Sequence, residues 1–353
     1  MSYRFALFCT LAILAITAPK VAGQATQGGQ MSVAIFTEFP PLARNSEILR
    51  RMLSPLTQEV IRRRLVASRT VVAEESVDLA KARFVVYVPS HKPAGGYGLI
   101  VFVPPWDDAR LPTGWAAVLD RAGFIYVSAV ASGNDKNVLT QRVPLALVAT
   151  GEALKSYQID PDRVFVGGFS GGSRVALRLA LAYPDVFHAV LLNAGADPIG
   201  APPDILPSAD LFARFQGSRI LFVTGALDTN ARASDAATAE SMSKLCVFND
   251  RTIILPDTGH SAVPPAVFSE TLDDLQRDHP ADQRRLDACR ATLDARLTRE
   301  VDEANAAVAA RKSSDARSRI LALDRSFGGL AGRQIAELAA ACACGLLPEE
   351  GRK

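Results

Sequence analysis

The amino-acid sequence predicts an α/β protein built on a doubly wound, mostly parallel β-sheet, with an N-terminal strand–helix segment and a C-terminal helical extension. Apolar runs of strand length alternate with segments of helical periodicity between residues 83 and 277. The run at residues 99–103 contains no polar residue, as is typical of a strand covered on both faces. A glycine-rich turn at residues 167–172 joins a strand-like run directly to a helix-like one. This alternation predicts helices on both faces of the sheet.

The hydrophobic pattern predicts the elements in chain order. Residues 32–36 are expected to form a strand that ends before Pro40-Pro41, and residues 47–65 a helix with apolar side chains three and four positions apart. Residues 195–217 are rich in Ala, Pro and Asp and are expected to be irregular. The strands of the main sheet are predicted at 83–88, 99–103, 124–129, 163–166, 188–193, 219–224 and 251–255. The helices between them are predicted at 113–122, 143–157, 174–183, 235–246 and 265–277.

The composition changes near Ala281, and this change divides the predicted domains. From there to Pro348 the chain has no proline and no strand-like run, and leucines and valines recur at helical spacing. We predict a main domain at residues 24–280 and a helical extension at residues 281–353, with about two helices packed on the core. A second interpretation is that the extension mediates self-association or attachment to a cell wall.

The first 23 residues have the pattern of a secretory signal peptide. A short positive segment precedes an uncharged apolar run at residues 5–18, and small residues follow this run. A run of about 14 residues is shorter than the roughly 20 that a membrane-spanning helix needs. The pattern predicts export to the periplasm or the extracellular space, with no stable membrane insertion after cleavage.

Four cysteines remain after the signal peptide, and an even number in an exported chain permits two disulfides. Cys342 and Cys344 are separated by one residue and are expected to be too close to pair with each other. Two connectivities remain, in which Cys246 and Cys289 each bond to one member of the C-terminal pair. Free buried thiols are the alternative.

Charge and composition argue against several classes of protein. The formal net charge is +2 at pH 7, and no basic patch with interleaved aromatic residues is present, so a nucleic-acid partner is not expected. The four histidines are scattered along the chain, which argues against a dedicated zinc site. We expect no metal or organic cofactor, and the sequence makes no prediction of the oligomeric state.

Residues 168–172 carry the G-x-S-x-G pattern of a nucleophile elbow, with Ser170 at its centre. In such an elbow the serine occupies a strained turn between a strand and a helix, and the flanking glycines let the two backbones approach. The alternative is a plain or phosphate-binding glycine turn. A phosphate-binding turn is disfavoured because the spacing is not G-x-G-x-x-G and no Lys-Ser or Lys-Thr pair follows.

A serine hydroxyl is a weak nucleophile at neutral pH, so Ser170 needs a general base, and the base needs an acid that orients it. In doubly wound hydrolases the acid and then the histidine follow the serine, at the carboxyl ends of strands. Asp228 and His260 each come just after a predicted strand and are the predicted acid and base. Asp257 is the rival acid, although a local hydrogen bond within its turn is the simpler role.

The oxyanion of acyl transfer needs two backbone N–H donors. One is expected from Gly171, the residue after the nucleophile, and the other from the loop after the strand at residues 99–103. Trp106, in that loop, and Phe169 adjoin the predicted nucleophile and are candidates for substrate contact. Trp115 is expected in the core.

Six segments between residues 83 and 275 match motifs of a known family. Through them the chain resembles the secreted α/β-hydrolase esterases that include polyhydroxybutyrate depolymerases and feruloyl esterases. The resemblance implies the α/β-hydrolase fold, hydrolysis of an ester and a catalytic triad of Ser170, Asp228 and His260. The segments are residues 84–89, 160–164, 168–172, 224–228, 259–260 and 264–265.

The chain departs from this family in the loop that should supply the second oxyanion donor. The family usually carries His-Gly there, whereas this chain has Pro104-Pro105, neither of which has an N–H. In register with the family, the N–H of Trp106 is the expected donor. The leading prediction is an exported serine hydrolase acting on a small-molecule or polymeric ester. The alternatives are a non-catalytic or weakly active binding protein on the same fold and a serine peptidase.

Overall fold

The computed structural model describes residues 29–277 and 282–348, so the predicted signal peptide lies outside the described residues. One eight-stranded sheet runs through the main domain in the order β1-β2-β4-β3-β5-β6-β7-β8. The pairs β1–β2 and β2–β4 are antiparallel, and the remaining pairs are parallel. The strands are β1 Gln30–Ala34, β2 Phe84–Val88, β3 Tyr97–Val103, β4 Phe124–Ala129, β5 Ile159–Phe169, β6 Ala189–Asn193, β7 Arg219–Gly225 and β8 Asp250–Leu255.

Helices cover both faces of this sheet. Successive residues of β3 alternate between two apolar cores: Leu99 and Val101 belong to one, and Ile100 and Phe102 to the other. The prediction of a doubly wound, mostly parallel sheet is confirmed, and the architecture is the α/β-hydrolase fold. The helices are α1 Asn45–Met52, α2 Pro55–Ser68, α3 Trp115–Ala122, α4 Val143–Ser156, α5 Gly171–Ala182, α6 Ala209–Phe215, α7 Thr229–Lys244, α8 Pro265–Leu275, α9 Gln283–Ala309, α10 Ser313–Phe327 and α11 Gly332–Ala341.

Two predicted helices differ most from the structure. The helix expected at residues 47–65 is divided into α1 and α2, because Pro55 holds Ser54 in an extended conformation and Ser54 caps the second helix. The helix expected at residues 235–246 begins six residues earlier, since the Asp228 side chain accepts a hydrogen bond from the N–H of Ala231 and caps it. The segment expected to be irregular contains the short helix α6.

In the described part of the C-terminal extension, residues 282–348, there are three α-helices, α9 to α11, where about two were expected. Its buried residues, among them Leu293, Ile320 and Ile335, join the same apolar core as α5 and the N-terminal helices. No helix in the two described ranges combines the length and the apolar content that crossing a bilayer requires.

The predicted cysteine pairing is wrong. Cys246, just after α7, is bonded to Cys289 of α9, with their Cα atoms 5.7 Å apart, and this disulfide joins the main domain to the extension. Cys342 is bonded to Cys344. The close pair can bond because Cys342 leaves α11 in an extended conformation, which brings the two Cα atoms to 5.2 Å, within the usual disulfide range.

Candidate active site

The nucleophile elbow is a sharp turn between β5 and α5. β5 ends at Phe169, α5 begins at Gly171, and Ser170 between them has φ 56° and ψ −122°, a strained conformation for a residue with a side chain. The turn needs glycine on both sides. A β-carbon on Gly168 would lie 2.6 Å from the nitrogen of Ser173, and one on Gly172 would overlap the carbonyl of Val103 at the end of β3.

Ser170, His260 and Asp228 form a continuous hydrogen-bonded chain. His260 Nε2 lies 2.9 Å from Ser170 Oγ, and His260 Nδ1 lies 2.5 Å from Asp228 Oδ2. The three residues follow β5, β7 and β8, whose carboxyl ends lie at the same edge of the sheet. The arrangement lets the imidazole accept the serine proton while the carboxylate orients the ring and stabilises its positive form.

Asp228 is held in place by the helix that follows it. Its Oδ1 accepts from the N–H of Ala231 in the first turn of α7, while its Oδ2 contacts the His260 ring. The side chain is 10% exposed, whereas that of His260 is 48% exposed and open to a substrate. Asp257, the rival acid, is exposed with φ 51° and makes no hydrogen bond to His260.

The aromatic residues beside the nucleophile form a row with the catalytic histidine. The Phe169 ring lies 4.9 Å from the His260 ring and 5.7 Å from the Trp106 ring, centroid to centroid. Phe169 is buried and belongs to one of the two apolar cores, and Trp106 is half-buried under the guanidinium of Arg110. Trp115 is buried in the core as expected, stacked on Phe268. Substrate contact by Trp106 and Phe169 stays a prediction.

The diproline loop, Pro104-Pro105-Trp106, is held through its carbonyl groups. Pro104 O accepts from Arg142 Nη2 at 2.9 Å, and Pro105 O accepts from the backbone N–H of Asn134 at 3.0 Å. The Pro105–Trp106 peptide is trans, so the N–H of Trp106 points away from Asn134 N. This N–H has no acceptor among the described residues.

Arg142 is an unusual support for this loop because it is a buried cation without a carboxylate partner in the described chain. It is 3% exposed, lies just before α4, and leaves its Nε without a hydrogen bond. Burial and the nearby charge of Arg178 lower the pKa of the Arg142 guanidinium to about 10, so it stays positive at neutral pH. Its charge therefore lies behind the loop that carries the Trp106 N–H.

Asn193, at the end of β6, connects the nucleophile with the loop that carries His260. Its carbonyl accepts from the N–H of Ser170 at 2.8 Å, and its side-chain Oδ1 accepts from the N–H of Val263 at 3.0 Å. Its Nδ2 donates to Ser261 O at 3.3 Å. Asn193 is buried, and it contacts Ser170 through its backbone carbonyl and the His260 loop through its side chain.

Sequence reasoning missed Arg142 and Asn193 as parts of the site, and it interpreted residues 132–135, which include Asn134, as a polar loop on the site face with a rim or substrate contact as the alternative. Asn134 and Asn193 follow strands at the catalytic edge of the sheet, and that placement was an available signal. Arg142 lies in a wide helical turn, residues 138–142, thirty-eight residues from the proline it contacts, and no sequence pattern marks it.

A cavity of about 560 Å³ lies elsewhere, between α5, the α1–α2 corner, residues 137–139, residues 202–205 and α10, and none of the triad residues lines it. Within residues 29–277 and 282–348, no group of three or more His, Cys, Asp or Glu side chains is arranged to hold a metal ion.

No protein-family model and no curated protein sequence matches the chain. Among solved structures, it is similar to the feruloyl esterase module of Clostridium thermocellum, with 17% identity and a TM-score of 0.42 over 56% of this chain and 85% of that one. It is also similar to S-formylglutathione hydrolase from Staphylococcus aureus, with 10% identity and a TM-score of 0.44 over 56% and 93% of the chains. A protein described as a dipeptidyl aminopeptidase IV from Bacteroides ovatus shows 14% identity and a TM-score of 0.43 over 71% of this chain and 36% of its own. The chain thus spans about a third of the length of that last protein.

Proposed function

We propose that this protein is an exported serine hydrolase that cleaves carboxylic esters through an acyl-enzyme on Ser170. The observation that carries the proposal is the hydrogen-bonded chain from Ser170 Oγ through His260 to Asp228. The strained elbow supports it, because such a conformation persists only where the surrounding structure enforces it. Export rests on the secretory pattern of the first 23 residues and is compatible with the disulfide that joins Cys246 to Cys289.

The first half-reaction builds the acyl-enzyme. Ser170 Oγ attacks the ester carbonyl while His260 Nε2 takes its proton, and Asp228 stabilises the resulting imidazolium. The N–H groups of Gly171 and Trp106 bind the oxyanion of the tetrahedral intermediate. His260 then returns the proton to the leaving alkoxide as the carbon–oxygen bond breaks, so the alcohol leaves and the acyl group stays on Ser170.

The second half-reaction repeats these steps with water. His260 takes a proton from a water molecule, the hydroxide attacks the acyl carbonyl, and the same donors bind the new oxyanion. Collapse of the intermediate releases the carboxylic acid and returns the proton to Ser170 Oγ. Every proton passes through His260, so no metal or organic cofactor takes part in the proposed cycle.

The decisive variant is Ser170→Ala. We expect the hydrolysis of short-chain aryl esters to fall by at least about a thousandfold, because the nucleophile is removed, and labelling by a fluorophosphonate probe to disappear. Ser173→Ala is the matched control, since the Ser173 hydroxyl, in the first turn of α5 three residues after Ser170, is buried without a hydrogen-bond partner among the described residues. An unchanged rate in Ser170→Ala, or no reaction of the wild-type protein with any ester or fluorophosphonate, contradicts the proposal.

The same protein samples define the substrate class. A panel should contain aryl esters, a feruloyl ester, a hydroxyalkanoate oligomer and the matching anilides, each tested with wild type and Ser170→Ala. The proposal expects turnover of esters. Turnover of the anilides at comparable rates would indicate a peptidase built from the same three residues.

A further inference from the structure

The loop after β4 lies directly against the loop that carries the expected oxyanion donor. The N–H of Ala131 donates to Asp107 O at 2.8 Å, the N–H of Gly133 donates to Asp107 Oδ1 at 2.9 Å, and the N–H of Asn134 donates to Pro105 O at 3.0 Å. Three hydrogen bonds over four residues hold the two loops together. The position of Asn134 relative to the Trp106 N–H is therefore well defined.

The side chain of Asn134 reaches from this loop to the first residue of α5. A β-carbon built on Gly171 would lie 2.7 Å from Asn134 Cγ and 3.0 Å from Nδ2, and closer still to Oδ1. The amide thus packs directly on Gly171, the residue whose N–H is the other expected oxyanion donor. Asn134 is exposed, and its side chain makes no hydrogen bond to a described residue.

We propose that the side-chain amide of Asn134 is a third donor of the oxyanion hole, placed against Gly171. This inference rests on the proposed function. A half-turn of the amide exchanges its oxygen and nitrogen, so Nδ2 can face the position of the oxyanion without movement of the backbone. The donor stabilises negative charge that develops on the carbonyl oxygen during the attack by Ser170.

The diproline loop has few backbone donors, and a side-chain donor compensates for this. Pro104 and Pro105 have no N–H, so Trp106 is the only residue of this three-residue loop that can donate from its backbone. Asn134 adds a donor from the neighbouring strand end, and its backbone N–H orients the Trp106 peptide through Pro105 O. Asn134 then has two roles: its backbone N–H orients the peptide that carries the Trp106 donor, and its side-chain amide is itself a donor.

The side-chain contribution can be measured separately from the backbone one. Asn134→Ala removes the amide and keeps the N–H that holds Pro105, and we expect kcat for a short-chain aryl ester to fall roughly 100-fold with KM changed less than about threefold. Asn134→Asp keeps the shape without the donor and should lose at least as much, because its charge repels the oxyanion. Asp135→Asn, at the next exposed residue of the loop, is the matched control and should keep the wild-type kcat.

The outcomes separate this inference from the proposed function. If the wild-type protein hydrolyses esters and Asn134→Ala does so at the same kcat, the role of Asn134 is overturned and the proposed function stands. If the wild-type protein neither turns over esters nor reacts with a fluorophosphonate, both fail. A crystal structure of the phosphonylated wild-type enzyme gives a readout without turnover: Asn134 Nδ2 about 3 Å from the phosphonyl oxygen supports the role, and a distance beyond hydrogen-bond range overturns it.

Discussion

The two loops that meet at the nucleophile are built from residues of opposite character. The elbow at residues 168–172 depends on glycines, because its strand and helix approach so closely that a β-carbon on Gly172 would overlap Val103 O. The diproline loop has two residues with a restricted backbone and no N–H. Its carbonyls are instead held by Arg142 and Asn134 from neighbouring elements. The elbow is defined by its own residues, whereas the diproline loop is defined by its neighbours.

This difference gives the two proposed oxyanion donors, the N–H groups of Gly171 and Trp106, different kinds of support. The N–H of Gly171 is placed by the start of α5, so any sequence that forms the turn also places the donor. The N–H of Trp106 is placed because the carbonyl of its own peptide accepts from Asn134 and the preceding carbonyl accepts from a buried guanidinium. Mutations in the elbow should therefore act through local sterics, and mutations behind the diproline loop through orientation and charge.

Among the variants that test this difference between the two loops, the largest effect is expected from Gly172→Ala. The added methyl group has no free space against the carbonyl of Val103, so either the start of α5 or the end of β3 must move, and both carry catalytic groups. We expect ester hydrolysis to fall more than about 100-fold, with a lower melting temperature, measured by steady-state kinetics and thermal unfolding. Gly259→Ala is the control, since a β-carbon there meets no atom within 4 Å. Equal rates for the two variants would show that the elbow is not sterically constrained.

A smaller effect is expected from Arg142→Met, which leaves the local sequence of the diproline loop unchanged. Met fills much of the same volume and removes an unpaired buried charge, so the protein should fold, but Pro104 O loses its donor. We expect kcat to fall on the order of tenfold with little change in KM, because the Trp106 donor is misplaced and a nearby positive charge is lost. Arg142→Lys restores the charge and should recover part of kcat. A loss confined to KM would contradict this role.

The smallest effect on the rate of ester hydrolysis is expected from Asp235→Asn. Asp235 lies behind the loop that carries Asp228 and contacts neither the elbow nor the diproline loop. Asp235 is buried in α7 and accepts a hydrogen bond from Thr224 Oγ1, and burial raises the pKa of its carboxyl group to about 6. The corresponding pKa in the unfolded chain is about 4, so the unfolded state loses this proton first as the pH rises. The folded state is therefore penalised progressively between pH 4 and 6, by up to about 3 kcal/mol.

Asp235→Asn removes this penalty and keeps an acceptor for Thr224. Relative to wild type, its free energy of unfolding should increase as the pH rises from 4 to 6.5, while ester hydrolysis at pH 8 stays near the wild-type rate. Denaturant titrations across this pH range measure the difference, and Asp257→Asn at an exposed position is the control. Parallel stability curves for wild type and Asp235→Asn would argue against a buried proton at this position.

Most of the fold was predictable because strands and helices in an α/β protein have strong local patterns. The apolar run of β3 and the alternation of strands and helices after it indicated the sheet. The division between α1 and α2 at Pro55 follows from the restricted backbone before a proline and from the N-cap preference of Ser54, although it was not predicted. The cysteine pairing was not predictable, since it depends on where Cys289 lies relative to the end of α7 and on how Cys342 leaves α11. These relations depend on packing between segments distant in sequence.

The sequence by itself determined the elbow and the order of Ser170, Asp228 and His260, because a tight turn and a strand end leave local signatures in residue type. Only the tertiary structure established that these three side chains lie within hydrogen-bond distance of one another. It also established which residues hold the carbonyl groups of the diproline loop. Arg142 and Asn134 act on backbone carbonyls 38 and 29 residues away in the chain, and a backbone carbonyl looks the same in every sequence. The hydrogen-bond donor of such a carbonyl is therefore identified only in the folded structure, where the two segments lie together.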